Sequence, residues 1–340
     1  SSRRRHTRYI GDWSSDVCSF RSIIKLTSMG DLMHALPALT EAKENLPEAS
    51  FDWVVDKNFQ SVPEWHPAVK STLVTNHREW KLNLISANTR NEIKTVVNEI
   101  NQNDYDIVVD MQNNLKSSFI SFLIKKEVIG MDAKSAREFP AHLSYSRKAS
   151  ISKDLHAIER QRELMAFALG YETQDKEFGY GISENKFTNP SFQLPSKYAV
   201  CVQNASWVTK QWPIDYWKEL ILELEPQGLD FLFPSGSQSE LEKAREICEV
   251  SARAHALDIL PLNEIAYILK NALFSVCSDT GLAHLSAVTN TPSLTLYGPT
   301  NTKLIGTSGV NQNHMTANNG NLENINVKEV TEKLKILGFI

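Results

Sequence analysis

No stretch of the chain runs to about 18 consecutive apolar residues, so no membrane-spanning helix is expected. Cysteine is scarce. Cys18, Cys201, Cys248 and Cys277 form no C-x-x-C pair, and no histidine cluster has metal-ligand spacing. Cys201 and Cys277 sit in apolar runs and read as core thiols, so a reducing cytoplasm fits better than a disulfide scaffold. Charge of one sign is also lacking: 36 Lys and Arg stand against 40 Asp and Glu, a net of −4. Bulk electrostatics therefore do not draw in a nucleic acid, and an anionic ligand needs a local site. A G-x-G-x-x-G fingerprint and a Walker A lysine are absent, which supports neither dinucleotide binding nor P-loop chemistry.

The opening segment lacks structure signals altogether. Residues 1–20 place four arginines among the first eight positions, with no apolar core for a secretory signal and no periodicity. They read as a non-native leader. Residues 1–21 carry five arginines against two aspartates, which leaves the remainder near −7. The other 320 or so residues, in a chain that is 41% hydrophobic, suffice for two cores.

What is present is a βα alternation used twice. An apolar run, Ser22–Leu26, meets a polar turn, Thr27–Asp31, and then a helical pattern over Leu32–Asn45. Compact apolar runs at Phe51–Asp56, Asp106–Asp110 and 128–130 read as parallel strands. Helical patterns cover Asn88–Ile100, Leu115–Ile124 and His156–Leu169, the last stopped by Gly170. Residues 172–196 read as a linker, between a first domain at 21–171 and a second at 197–340. In the second, strands are expected at Tyr198–Gln203, Leu229–Phe233, Phe274–Cys277 and Ser293–Tyr297. Helices are expected at Ile214–Glu225, Ser239–Ser251, Asn263–Asn271, Gly281–Ala287 and Val327–Leu337. The fold class is α/β, with two doubly wound parallel sheets facing a central cleft.

Three segments carry candidate chemistry. The turn holding Ser28, Gly30 and Asp31 ends the first strand, where open α/β sheets bind ligands; Asp31 is either a cleft carboxylate or simply a helix N-cap. Ser278-Asp279-Thr280-Gly281-Leu282-Ala283-His284 passes from strand end into helix, an anion-binding arrangement that His284 can reach from one turn in. The alternatives there are a capping Asp279 and a surface His284. Lys210 follows the polar loop Asn204-Ala205-Ser206 and suits a diphosphate, unless it is an ordinary solvated lysine. Glu240 is either a ribose-holding acid or a favourable charge in a helix's first turn.

Together these stretches resemble glycosyltransferase family 9, the heptosyltransferases, within it the branch adding the first heptose to the lipopolysaccharide core. The matching pieces are K-x-T-S-M-G-D-x-x-H-x-L-P-A-L-T from Lys25 to Thr40, F-D-W-V-V at Phe51–Val55, and H-A-I-E-R at His156–Arg160. K-x-W-P at Lys210–Pro213, S-D-T-G-L-A-H at Ser278–His284 and Y-G-P-T at Tyr297–Thr300 complete the set, and the similarity runs from Ser22 to Ile340.

The resemblance implies a GT-B fold and an inverting, metal-independent transfer of L-glycero-D-manno-heptose. The implied donor is ADP-L-glycero-β-D-manno-heptose; the implied acceptor is the inner 3-deoxy-D-manno-oct-2-ulosonic acid (Kdo) of Kdo-lipid A. Asp31 matches the family's base and Lys210 its diphosphate-binding lysine. Asp279, Thr280, Gly281 and His284 match donor contacts, Glu240 a ribose contact, and Ser206 a further donor contact. Ser28, Gly30, Arg78 and Lys81 are the acceptor-side candidates, although His77–Lys81 carries fewer cations than its family counterpart. The enzyme is expected to be a monomer working peripherally on the cytoplasmic face of the inner membrane. The expected contact patch runs from Arg78, Trp80 and Lys81 into Leu82 and Leu84, with Trp80 as a core residue the alternative. Competing readings are a later heptosyltransferase, a GT-B nucleotide-sugar epimerase, and a noncatalytic nucleotide-binding module.

Overall fold

The computed structural model describes residues 20–83 and 86–340, without the side chains of Arg78 and Lys81. In the first half, β1 (Phe20–Ile24) leads into α1 (Met29–Met33) and α2 (Leu36–Asn45), and β2 (Ser50–Asp56) into the one-turn α3 (Ser61–Glu64). β3 (Val69–Thr75) is followed by α4 (His77–Leu82) and α5 (Ala87–Gln102), and β4 (Ile107–Asp110) by α6 (Leu115–Leu123). β5 (Val128–Met131), β6 (Arg147–Ala149) and α7 (Ala157–Leu169) close the half.

The second half alternates β7 (Tyr198–Val202), α8 (Ile214–Leu224), β8 (Asp230–Phe233), α9 (Gln238–Cys248), β9 (Ala254–Ala256) and α10 (Leu262–Lys270). It continues through β10 (Phe274–Ser278), α11 (Gly281–Val288), β11 (Ser293–Tyr297), α12 (Thr302–Ile305), β12 (Gln312–Thr316) and α13 (Val327–Ile336).

Each half builds one six-stranded sheet, ordered β3-β2-β1-β4-β5-β6 and β12-β11-β10-β7-β8-β9. All the strand pairings are parallel. The two orders are the same connectivity used twice. Each reverses direction in mid-sheet, between β1 and β4 and between β7 and β10, and that is where a crevice opens beyond the strand ends. The expected fold class is thus borne out.

Four strands were not legible beforehand: β3, β6, β9 and β12. They are the four sheet edges, and most of their residues are exposed or half-buried where the central strands β4, β7, β10 and β11 are buried throughout. The expected leader also ends one residue too late. Phe20 already belongs to β1, pairs with Ser50, and donates its amide to Asp106 Oδ2 at 3.0 Å; residues 1–19 lie outside the described residues.

One apolar cluster runs through both halves, from Ile23, Leu36 and Trp53 to Val200, Leu269 and Leu285. A second lies wholly in the second half, around Trp212, Trp217, Phe231 and Phe274. The segment 172–196 is bonded to both sides: Gln174 donates to Glu41 at 2.8 Å and Ser183 to the Trp65 carbonyl at 2.7 Å, while the Thr188 amide reaches Asn263 O at 3.2 Å. The Glu41 carboxylate that receives Gln174 is fully buried and held by Arg162 Nε and Nη2, at 2.9 and 3.1 Å. A buried carboxylate needs such pairing to remain charged.

Candidate active site

A cleft of about 720 Å³ lies between the two sheets' carboxyl ends, a size typical of small-molecule sites. Its first wall is assembled from separate pieces of the first half. The end of β1 is followed by buried Lys25, whose Nζ donates to the Met111 carbonyl at 2.8 Å. The backbone beyond it is held by Gln112, whose Oε1 accepts from the Leu26 and Thr27 amides at 2.9 and 3.2 Å. Gln112 is itself placed by buried Asp110, which takes the Gln112 and Asn113 amides, both at 2.9 Å, and the hydroxyls of Ser121 and Tyr145. The loop after β4 thereby fixes the loop after β1.

That loop caps α1 with Ser28, and Asp31 sits inside the first turn. Asp31 is therefore not the N-cap. Its Oδ2 instead accepts from the Ser28 amide at 3.2 Å and the Ser28 hydroxyl at 3.0 Å. The same oxygen meets Arg137 Nη1 at 3.1 Å, and a quarter of the side chain stays open to the cleft. Burial pushes the Asp31 carboxyl up, but Lys25, Arg137, the Ser28 amide and His34 outweigh it and hold it well below the usual carboxylate range. Burial lowers Lys25 to about 8.

The second wall comes from strand ends that feed directly into helices. Thr280 is the N-cap of α11 and Gly281 its first residue, so first-turn amides without intrahelical partners face the cleft side of the sheet. Asp279 meets Lys210 Nζ at 2.7 Å and also accepts from the Thr300 hydroxyl. Both lie in the cleft lining with Ser206, Thr280, Gly281 and His284. Thr300 closes the Tyr297-Gly298-Pro299-Thr300 turn, which thus supports the site directly.

Glu240 stands apart. Its Oε2 accepts the Gly236 amide at 2.7 Å beyond β8, one strand over, and it does not line the cleft. The Arg78 and Lys81 side chains lie outside the described residues, as does Leu84. Trp80 is core: it is buried among Leu73, Ile93 and Val97, and its indole donates to Glu92 at 2.6 Å.

The walls touch at two glycines. A Cβ on Gly30 would fall 2.7 Å from His284 Cδ2, and one on Gly281 would fall 2.5 Å from Met29 Cε. Three rings meet just behind. His34 packs edge-on against His284 at 4.5 Å between centroids and against His156 at 5.6 Å. Burial lowers His284 to about 4 and carries His34 well below its ordinary value, so both are neutral near pH 7. Lys25, Arg137 and Arg160 line the first wall without having been singled out for a role from sequence. Arg137 lies in irregular backbone 106 positions from the carboxylate it meets, where no periodicity marks it.

Two Rossmann-like sheets with a carboxylate on one wall, and a lysine and a helix N-terminus on the other, define the class of GT-B glycosyltransferases. Residues 93–335 match the family Glycosyltransferase family 9 (heptosyltransferase). The chain is 39% identical over 319 residues to lipopolysaccharide heptosyltransferase 1 of Escherichia coli, covering 93% of this chain and 99% of that one. Among solved structures it is similar to the E. coli heptosyltransferase WaaC with ADP, with a TM-score of 0.87 at 36% identity over 94% of this chain and 99% of the other. The same enzyme with ADP-2-deoxy-2-fluoro heptose gives a TM-score of 0.85 at 35% identity, over 93% and 99%. The chain belongs to glycosyltransferase family 9, and it is a heptosyltransferase of lipopolysaccharide core synthesis.

Proposed function

We propose that the chain moves L-glycero-D-manno-heptose from its ADP-activated β form to the inner Kdo of Kdo-lipid A, with inversion and without a metal ion. One observation carries this reading. Asp31 of the first half and the Lys210, Asp279, Thr280 and His284 group of the second line one cleft from opposite sides. A single displacement needs that separation, because the nucleophile enters opposite the leaving group.

In this scheme Asp31 takes the proton from the attacking acceptor hydroxyl. Lys210 and the Thr280–Gly281 amides stabilise the charge that grows on the departing diphosphate. Asp279 holds Lys210 in place before the donor arrives and faces the donor sugar, with Ser206 and His284 as further donor contacts and Glu240 reserved for the ribose. An anionic acceptor competes with Asp31 for Arg137. Losing that cation raises the Asp31 carboxyl toward the range in which it accepts a proton, so the base gains strength when its substrate arrives. The enzyme acts as a monomer on the cytoplasmic membrane surface; among the described residues no helix is long and apolar enough to cross a membrane.

The test is a transfer assay with ADP-heptose and Kdo-lipid A in the presence of chelator. The expected product carries heptose in the configuration opposite to the donor's. Release of an altered nucleotide sugar without acceptor, or ADP binding with no turnover on any acceptor, would overturn the reading. Preference for an acceptor that already carries one heptose would move the chain to a later step.

A further inference from the structure

An amphipathic helix ordinarily turns its apolar stripe inward. α6 also turns an apolar set outward. Its inward face is Ser117, Ile120, Ser121 and Ile124, with the Ser121 hydroxyl on Asp110 at 3.1 Å and the Ser117 hydroxyl on the Asn114 carbonyl at 3.1 Å. Its outward face is Leu115, Phe119, Phe122 and Leu123, at helical spacing, all exposed, Phe122 by 76%. The short turn Ala141–Ser144 packs against the same helix and carries exposed Leu143, at 69%, while Phe139 just before it, at 76%, sets its ring against His142 of that turn. Single exposed apolar residues are common on any protein, whereas a contiguous set marks a contact surface.

The helix itself and the residues just after it carry charge of one sign. Residues 115–126 contain Lys116, Lys125 and Lys126 and no acid, in a chain whose net charge is −4. Around it Asp104 pairs with Lys126, Glu127 pairs with Arg147 and Glu138 accepts the Leu115 amide, which leaves Lys116 and Lys125 outside any ion pair among the described residues. The face also adjoins the first wall of the cleft. Phe139 follows Glu138 and Arg137, whose amides both donate to the Asn113 carbonyl, and Arg137 reaches Asp31.

We propose that the outward face of α6, with Phe139 and Leu143 beside it, docks on a bilayer surface rich in acidic phospholipid headgroups. Aromatic and leucine side chains enter the headgroup boundary and the flanking lysines meet the anionic surface. A symmetric pair of chains joined through this face would bring two sets of its lysines into one interface. The proposal rests on the lipid-borne acceptor argued above, because docking there presents the cleft's acceptor wall to a sugar that the bilayer carries.

Co-sedimentation of the full chain with vesicles tests it. The unaltered protein should sediment with phosphatidylglycerol–phosphatidylethanolamine vesicles and much less with pure phosphatidylcholine. Phe119→Asn with Phe122→Asn should weaken that partition about 10-fold or more, since two rings no longer leave water. Lys116→Glu with Lys125→Glu should remove the preference for acidic lipid. Both variants should keep their melting temperature and their turnover on an acceptor stripped of acyl chains. Equal partition of the phenylalanine variant overturns the proposal. So does a wild-type dimer that the same variant splits, because a second copy then covers the face. Absence of vesicle binding with transfer intact refutes docking and leaves the reaction standing. Vesicle binding with no transfer to either acceptor supports docking and refutes the reaction.

Discussion

The two walls of the cleft are built by different means. The second half places its groups at strand ends that run straight into a helix or a short turn: β10 into Asp279, Thr280 and α11, and β7 into Ser206 and Lys210. The first half gathers Lys25 and Asp31 from one end of its chain and Arg137 and Arg160 from 106 or more residues further on, and holds the turn with relays such as Asp110 to Gln112 to the Leu26 amide. A wall made from strand ends of this kind suits a constant feature, in the proposed reaction the diphosphate of a nucleotide sugar. A wall assembled over long sequence distances can change one piece at a time, which suits the partner that varies.

The sharpest test of this division is Asp31→Asn. Turnover should fall by about 10²-fold or more, the scale of a lost general base, while calorimetric ADP affinity stays near that of the unaltered protein. Equal loss of both would mean that the walls are not separable.

The converse substitutions belong to the second wall. Lys210→Ala and His284→Ala should each weaken ADP binding by about 1–3 kcal/mol, the worth of a polar or charged contact. Lys210→Ala has the added effect of leaving buried Asp279 with the Thr300 hydroxyl in place of a cation. Unchanged ADP affinity in both variants would remove the diphosphate from this wall.

A smaller effect is expected at Arg137, which lowers the Asp31 carboxyl. In Arg137→Ala that carboxyl rises, so the acid limb of kcat/KM against pH should move upward by about one unit. ADP binding should not follow it. A limb that stays in place would show that Lys25 and the Ser28 amide alone set the base.

Where the walls meet, the expected effect is on stability. His34 and His284 are buried and neutral, their folded values depressed below the ordinary 6.5, His284 to about 4. Unfolded histidine takes up a proton as pH drops below about 6.5 and the folded rings do not, so stability is full above that pH and declines on the way down toward 4. For His284 the loss is about 1.4 kcal/mol per pH unit across that window, and His34 adds to it in the same direction. Thermal unfolding followed from pH 7 to pH 5 should show a falling Tm, with a shallower fall in His34→Gln. A flat profile would place these rings in contact with solvent.

The same contrast explains what could be read in advance. The central strands announce themselves because burial on both faces demands an unbroken apolar run, as in Ile107-Val108-Val109. The edges β3, β6, β9 and β12 are covered by a neighbouring strand on one side only, so Arg147-Lys148-Ala149 or Gln312–Thr316 carry no such pattern. Asp279 through His284 were legible as a local motif at a strand end, and the cleft lining has Asp279, Thr280, Gly281 and His284 together. Arg137 was not, since what brings it to Asp31 is the folding of β5 and the loop after it. Trp80 illustrates the opposite error: an aromatic between two cations suggests an interface, yet helical spacing turns it onto Ile93 and Val97.

The contact between Gly30 and His284, and between Gly281 and Met29, works as a depth stop. It sets how near the carboxylate on one half can come to the helix end on the other, and so the reach of the reaction itself. The gauge is cut from missing atoms. A single methyl at position 30 would thicken the stop against an imidazole that already has the His34 ring beside it. The span over which a sugar must be handed across would then change through a residue whose own contribution is to be thin.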